Sequence, residues 1–227
     1  MRRPLRLLVV SPFPPRHDAS HGGSRAIAQL VRQLAARHRV ALVFLREADE
    51  RDADALLYEQ CERVVQVGTS PRDNSLGARL VHRLRVRTAL LRGLPTWVVE
   101  RTAPDFSRTL SELAAEWKPD VVQLEFQIMG QFLPALANCE APRVLREHEP
   151  LPSAVEEARR LHRGLAGLRL RLEAAAWRRF ERAVIAQVQA VAVFTERDRV
   201  ELAPFAGTTP IVTIPLKYDV PMIDARK

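Results

Sequence analysis

Two adjacent glycines, Gly22 and Gly23, sit in "SPFPPRHDASHGGSR" between an apolar run and a helical pattern, with Arg25 just after them. Glycines there let the backbone approach a ligand closely, and a helix start adds free N–H groups and a positive dipole end. That chemistry suits a phosphate. The stretch is neither GxGxxG nor a P-loop, so a plain strand-to-helix turn is the competing reading. A second group is Glu125 with Gln127, at the end of "VVQLEF". A carboxylate leaving a buried strand needs a partner or a ligand, because burial raises its pKa; the bland alternative is an exposed acid. In "REHE", His148 and Glu149 close another apolar strand. A histidine in that position serves as a general base or a donor to a sugar hydroxyl, or is structural. Thr195 and Glu196, in "FTERDR", mark a further strand end, where Thr195 also suits an N-cap. No HxH or HExxH spacing occurs, and no metal is expected.

The elements that must position these residues follow from periodicity. Short apolar runs at 5–10, 39–45, 63–67, 121–126, 142–149, 190–196 and 210–215 read as strands. Helical patterns cover 25–36, 76–91, 105–117 and a long stretch at 153–189, with a kink at Gly164 or Gly167, and a short helix follows Thr195. Strands that alternate with helices predict an α/β fold: a doubly wound, mostly parallel, Rossmann-like sheet with helices on both faces. Ligands bind such sheets at the carboxyl ends of the strands, which is where the candidate residues fall.

The chain has 227 residues, 47% apolar and 27% charged, with a net charge of +8. That composition fits a soluble globular body, and the basic excess fits nucleic acid, an anionic membrane or a phosphorylated small molecule. Aromatics are only 6% and no basic stretch interleaves with them, which argues against nucleic acid. A nicotinamide enzyme would need GxGxxG at the first turn. Cys61 and Cys139 are far apart in sequence, so a reducing, cytoplasmic setting is expected. No run approaches the roughly 20 apolar residues of a membrane helix. The helix at 76–91 carries Leu76, Leu80, Leu84 and Leu91 in a stripe, surrounded by Arg79, Arg83, Arg85, Arg87 and Arg92. It is either a solvated face over a core stripe or a basic amphipathic helix at an anionic membrane.

Taken in order, the motifs resemble the N-terminal half of GT-B glycosyltransferases of the subfamily 4-like kind. The motifs are "VVSPFPP…GGSRAIAQLVRQLAARHRVALVFL", "KPDVVQLEF", "VLREHE", "WRRFERAVIAQVQAVAVFTERDRVEL" and "IVTIPLKYDVP". The resemblance implies one half of a GT-B fold, with residues 1–215 as the acceptor-side domain and 216–227 as the start of a linker to a donor-binding domain. It implies a retaining transfer of a sugar from a nucleotide-sugar to a glycan or lipid-linked acceptor, without a metal or other cofactor. Gly22, Gly23 and Arg25 would then meet the donor diphosphate, and His148 and Glu125 would be the catalytic candidates. Gln127, Glu149, Thr195 and Glu196 would line the cleft. Lys217 departs from the glycine common in the family's exit turn. The expected partners are the two substrates, a second domain in cis or trans, and an anionic membrane contacted peripherally from the cytoplasmic side. The chain alone is expected to be inactive, and a non-catalytic partner or scaffold domain is the alternative.

Overall fold

The computed structural model describes residues 3–69 and 75–216. Its seven strands are β1 (Arg6–Ser11), β2 (Arg39–Arg46), β3 (Arg63–Gly68), β4 (Val121–Glu125), β5 (Arg143–Arg146), β6 (Ala190–Val193) and β7 (Ile211–Thr213). All pair in parallel, in the order β3-β2-β1-β4-β5-β6-β7. The chain first works outward from β1 to β3, then crosses back to β4 and works outward the other way. The reversal puts a topological switch between β1 and β4, the place where open α/β sheets take their ligands.

The helices are α1 (Gly22–Ala35), α2 (Ala55–Gln60), α3 (Leu76–Leu91), α4 (Thr96–Glu100), α5 (Pro104–Trp117), α6 (Leu151–Arg160), α7 (Gly164–Ile185) and α8 (Glu196–Ala206). A 3-10 segment spans Gln127–Leu136. Successive strand residues point to opposite faces, and this sorts the core into two halves. Leu7 and Val9 pack with Ile27 and Val31 of α1. Leu8 and Val10 pack with Phe106 and Leu110 of α5 and with Trp177 and Val184 of α7. Both faces are covered, so the inner strands read as unbroken apolar runs.

The doubly wound sheet is as expected, and it is wholly parallel. Local differences have physical causes. Helix α1 begins at Gly22, so the two glycines form its first turn and do not precede it. His21 makes this possible, because its Nδ1 accepts the Ser24 N–H at 3.2 Å and caps the helix. The long helical pattern at 153–189 is divided between α6 and α7. Gly164 opens α7 with φ +63°, a left-handed value that glycine adopts without a Cβ clash. Helix α3 has the expected bounds, but its leucine stripe does not face a core: Leu76, Leu80 and Leu84 are 84%, 59% and 52% exposed. Lys217 and the rest of the expected linker lie outside the described residues. Among the described residues, no helix is long and apolar enough to cross a membrane.

Candidate functional site

Strands β4 and β5 lie side by side with Glu125 opposite Arg146. This register brings His148, two residues beyond Arg146, to the end of β4. There His148 Nε2 stands 2.7 Å from Glu125 Oε2. Glu125 is fully buried, and the Gln123 side-chain amide donates to its other oxygen. A carboxylate only accepts, so Nε2 carries the proton in this pair, and in the neutral ring Nδ1 is then the acceptor. The imidazole stacks on Phe126 at 3.9 Å with the planes 10° apart, and meets the Phe194 ring edge-on at 4.9 Å. Only 5% of the His148 side chain is exposed.

Phe126 organises this corner. Its φ of +66° is rare for a bulky residue and marks stored strain at a chain reversal. The reversal turns β4 into the 3-10 segment, and the Phe126 N–H is held by the Arg146 carbonyl at 3.0 Å. The ring lands between Phe13, Trp97 and His148. Gly23 packs over the same ring. A Cβ on Gly23 would stand 2.6 Å from Phe126 Cζ and 3.2 Å from Phe13 Cζ, whereas one on Gly22 would meet nothing within 4 Å. The first turn of α1 therefore closes on an aromatic floor at Gly23 and faces open space at Gly22. The preceding proline loop is tied down by buried Ser24, whose hydroxyl donates to the Pro14 carbonyl at 2.7 Å and accepts the Arg16 N–H at 3.0 Å.

The remaining sequence-derived candidates divide. Gln127 joins the corner, its side-chain amide donating to the Glu149 carbonyl at 3.1 Å. Arg25 does not. Its guanidinium donates to the Ala19 carbonyl at 3.1 Å and lines a hollow with His17, Gln29 and Arg32. Thr195 caps α8 at the end of β6, in a reciprocal arrangement with Asp198. Glu196 is held by the Arg199 guanidinium and the Thr213 hydroxyl, which keep its carboxyl below the usual range.

Sequence reading missed several features. The Arg146 guanidinium lies over the Phe194 ring at 4.8 Å, which ties the ring that meets His148 edge-on to β5. Just inside it, Glu147 and Glu181 of α7 are both buried carboxyls. Neither Glu181 oxygen has a hydrogen-bond partner, and one Glu147 oxygen also lacks one. Burial pushes Glu181 up to about 8; burial and the adjacent Glu181 push Glu147 well above the usual range. Among the described residues, one trio could gather a cation: His17, Asp18 and Asp54. Asp54 belongs to an Asp52-x-Asp54 spacing, a DxD pattern that the sequence reading wrongly took to be absent. The trio is already engaged, since His17 Nδ1 lies 2.9 Å from Asp54 and Asp18 takes Arg16 and Arg51.

A wholly parallel sheet with its switch point beside Gly22, Glu125 and His148 defines the class: a Rossmann-like, doubly wound α/β domain. The Glycosyl transferase 4-like domain model matches residues 21–217. The chain belongs to that family. Among solved structures, it is similar to Phytolacca americana UGT2 complexed with UDP-2fluoro-glucose and pterostilbene, at 11% identity and TM-score 0.54, covering 94% of this chain and 53% of that one. It is also similar to sucrose-phosphate synthase from Thermosynechococcus elongatus, at 12% identity and TM-score 0.55, covering 94% and 48%. Arabidopsis thaliana UGT89C1 complexed with UDP aligns at 14% identity and TM-score 0.51, covering 96% and 50%. The chain thus spans about half the length of the solved structures it matches. A search of curated proteins finds no match.

Proposed function

We propose that this chain is the acceptor-side domain of a retaining glycosyltransferase. It would work with a donor-binding domain to move a sugar from a nucleotide-sugar to an acceptor. The observation that carries this reading is the convergence, at the sheet's switch point, of the glycine-opened start of α1 with the Glu125–His148 pair. The Gly22 and Gly23 amides have no acceptor within the helix. They lie where a diphosphate can approach the Gly22 backbone unhindered, and the helix dipole favours the charge that grows on the leaving group. These amides would stabilise that charge, and the transfer is proposed to proceed without a metal. Glu125 would fix the tautomer and orientation of His148, and His148 Nδ1 would accept a hydrogen bond from a sugar or acceptor hydroxyl.

The fold likeness to proteins solved with UDP and UDP-2fluoro-glucose supports a nucleotide-sugar donor. Coverage of about half of each such structure supports a cleft shared with a second domain, and hence little transfer by this chain alone. We place the body of the domain at residues 1–215, with a linker beginning at 216. The exposed basic helix α3 supports peripheral contact with an anionic membrane.

One observation favours the alternative, a non-catalytic partner domain. The His148 ring is nearly covered, as a structural clamp would be. Titration with nucleoside diphosphates, followed by amide chemical shifts, separates the two readings. The enzyme reading expects shifts centred on Gly22 and Gly23. A chain whose amides ignore every nucleoside diphosphate even with a donor-binding half added is the clamp. Once transfer is reconstituted, a product with inverted anomeric configuration would remove the word retaining.

A further inference from the structure

Two core carboxyls have no part in the corner described above. Glu147, at the exit of β5, and Glu181, well inside α7, are 1% and 0% exposed. Glu147 Oε1 accepts the Glu149 N–H at 3.4 Å. Among the described residues, Glu147 Oε2 and both Glu181 oxygens have no hydrogen-bond partner. Two neighbouring carboxylates cannot both stay ionised in such a place without a positive charge to join them.

No side chain around them supplies that charge. The 3-10 segment and β6 carry no charged residue. On α7 itself, Arg178 reaches Glu156 of α6 at 3.9 Å, and Arg182 lies over the Phe205 ring of α8. The arginines of α8, Arg197 and Arg199, pair with Glu201 and Glu196. On β5, Arg143 donates to the Leu136 and Cys139 carbonyls, and Arg146 lies over Phe194. Arg83 and Arg87 of α3 meet α7 beside Leu168 and Leu172, about 13 Å of helix short of Glu181. On β4, Glu125 is taken by His148. The remaining charge that bears on Glu147 is Glu149, another acid. Burial keeps both carboxyls protonated to higher pH than usual, and the adjacent Glu181 adds to this for Glu147. The positive charge left to join them is a proton.

The two partners differ in freedom to move. Glu181 lies between buried Trp177 and Val184, and α7 packs so closely on the 3-10 segment that a Cβ on Gly130 would strike Val184. Glu147 begins the short turn between β5 and α6. Its N–H continues the ladder to the Ala192 carbonyl at 2.9 Å, so its side chain and that of His148 leave an extended chain on opposite sides. We infer that Glu147 and Glu181 share a proton and act as positioning residues: their bridge fastens the turn that carries His148 to α7, and loss of the proton frees the His148 ring from between Phe126 and Phe194. The turn gives way because α7 cannot. This deepens, and rests on, the assignment of His148 to the site in the acceptor-side reading.

The test is nuclear magnetic resonance of the 227-residue chain from about pH 6 to about pH 9.5. The readouts are Overhauser contacts of the His148 ring with the Phe126 and Phe194 rings, and exchange protection of the His148 and Glu149 amides. As pH rises the contacts should be lost and the protection should fall roughly tenfold or more, while amides of β1 and β4 stay protected. In Glu181→Gln, whose amide can donate to Glu147 at every pH, both readouts should keep their low-pH values. The parent titration needs no variant: His148 contacts that persist to the highest pH overturn the inference. So does a loss in folded Glu181→Gln that matches the parent, or a loss in the parent that spreads through β1 and β4 as general unfolding. Recovery of the contacts at high pH on adding Mg²⁺ or K⁺ would put a metal ion between the acids and also overturn it. Amide shifts at Gly22 and Gly23 with nucleoside diphosphates and a donor-binding half, read near pH 6, report on the transferase reading separately. Their absence sinks that reading alone, and pH-indifferent His148 contacts sink this inference alone.

Discussion

The two glycines of α1 look alike in sequence, but substitution should separate them. In Gly23→Ala the new methyl falls 2.6 Å from Phe126 Cζ and 3.0 Å from its Cε2. Phe126 cannot simply swing aside. Its backbone sits at φ +66°, and its ring is stacked on His148 at 3.9 Å and flanked by Trp97 and Phe13. Overpacking of that kind costs about 1–3 kcal/mol. Replacing glycine by alanine in a compatible helical position returns about 0.4–1 kcal/mol. The net expectation is a loss of roughly 1–2 kcal/mol, together with a displaced His148 ring. In Gly22→Ala the methyl meets nothing within 4 Å, so the helical gain stands alone and stability holds or rises slightly. That methyl would stand in the path of an approaching diphosphate, and affinity for nucleoside diphosphates should fall about tenfold, or ~1.4 kcal/mol. Urea unfolding measures the first pair of values and titration the second. Equal destabilisation by the two substitutions would refute the packing argument. Full affinity in Gly22→Ala would refute the phosphate role.

The buried acids predict a pH dependence. Burial raises Glu181 to about 8 in the folded chain, above its unfolded value, so its contribution is fully present below the unfolded pKa and is lost as pH rises through 8. Thermal unfolding should therefore fall between mildly acidic pH and pH 9, and Glu181→Gln should flatten that slope; a parallel slope in the variant would contradict the assignment. Thr195→Ala removes one arm of the capping box of α8 and should cost about 1 kcal/mol in urea unfolding without changing ligand affinity. A larger effect on affinity than on stability would instead place Thr195 in the cleft. Chelation should leave any reconstituted transfer unchanged. Loss of activity on adding EDTA, restored by a divalent ion, would overturn the metal-free reading and redirect attention to His17 and Asp54.

Much of the fold was legible because the sheet is buried on both faces. Its strands appear as short apolar runs that periodicity cannot hide, and α3 was bounded correctly by its 3.6-residue spacing alone. The elements that escaped are short or irregular. Helix α2 is only 6 residues long, and the 3-10 segment "QIMGQFLPAL" mixes glycine, proline and two glutamines into a mostly apolar stretch. Spacing also gave α3 a leucine stripe but not the direction it faces, since that depends on what α7 leaves uncovered. Within the site, the types of residue at strand ends were readable, which is how Glu125 and His148 were found. Their pairing was not, because it depends on β4 and β5 being neighbours with Glu125 opposite Arg146. The role of Phe126 rests on a backbone angle that no side-chain pattern announces. The Glu147–Glu181 contact joins residues of β5's exit and α7 that only tertiary packing brings together.

The most direct test of the central claim is sugar transfer by this chain combined with a donor-binding GT-B half, in trans or as a fusion, across a panel of nucleotide-sugars. The account predicts transfer that requires both halves. It also predicts that His148→Ala lowers kcat roughly a hundredfold, and that Glu125→Gln lowers it less while shifting its pH profile. Transfer that is indifferent to His148, or no transfer from any donor by a folded pair, would contradict it.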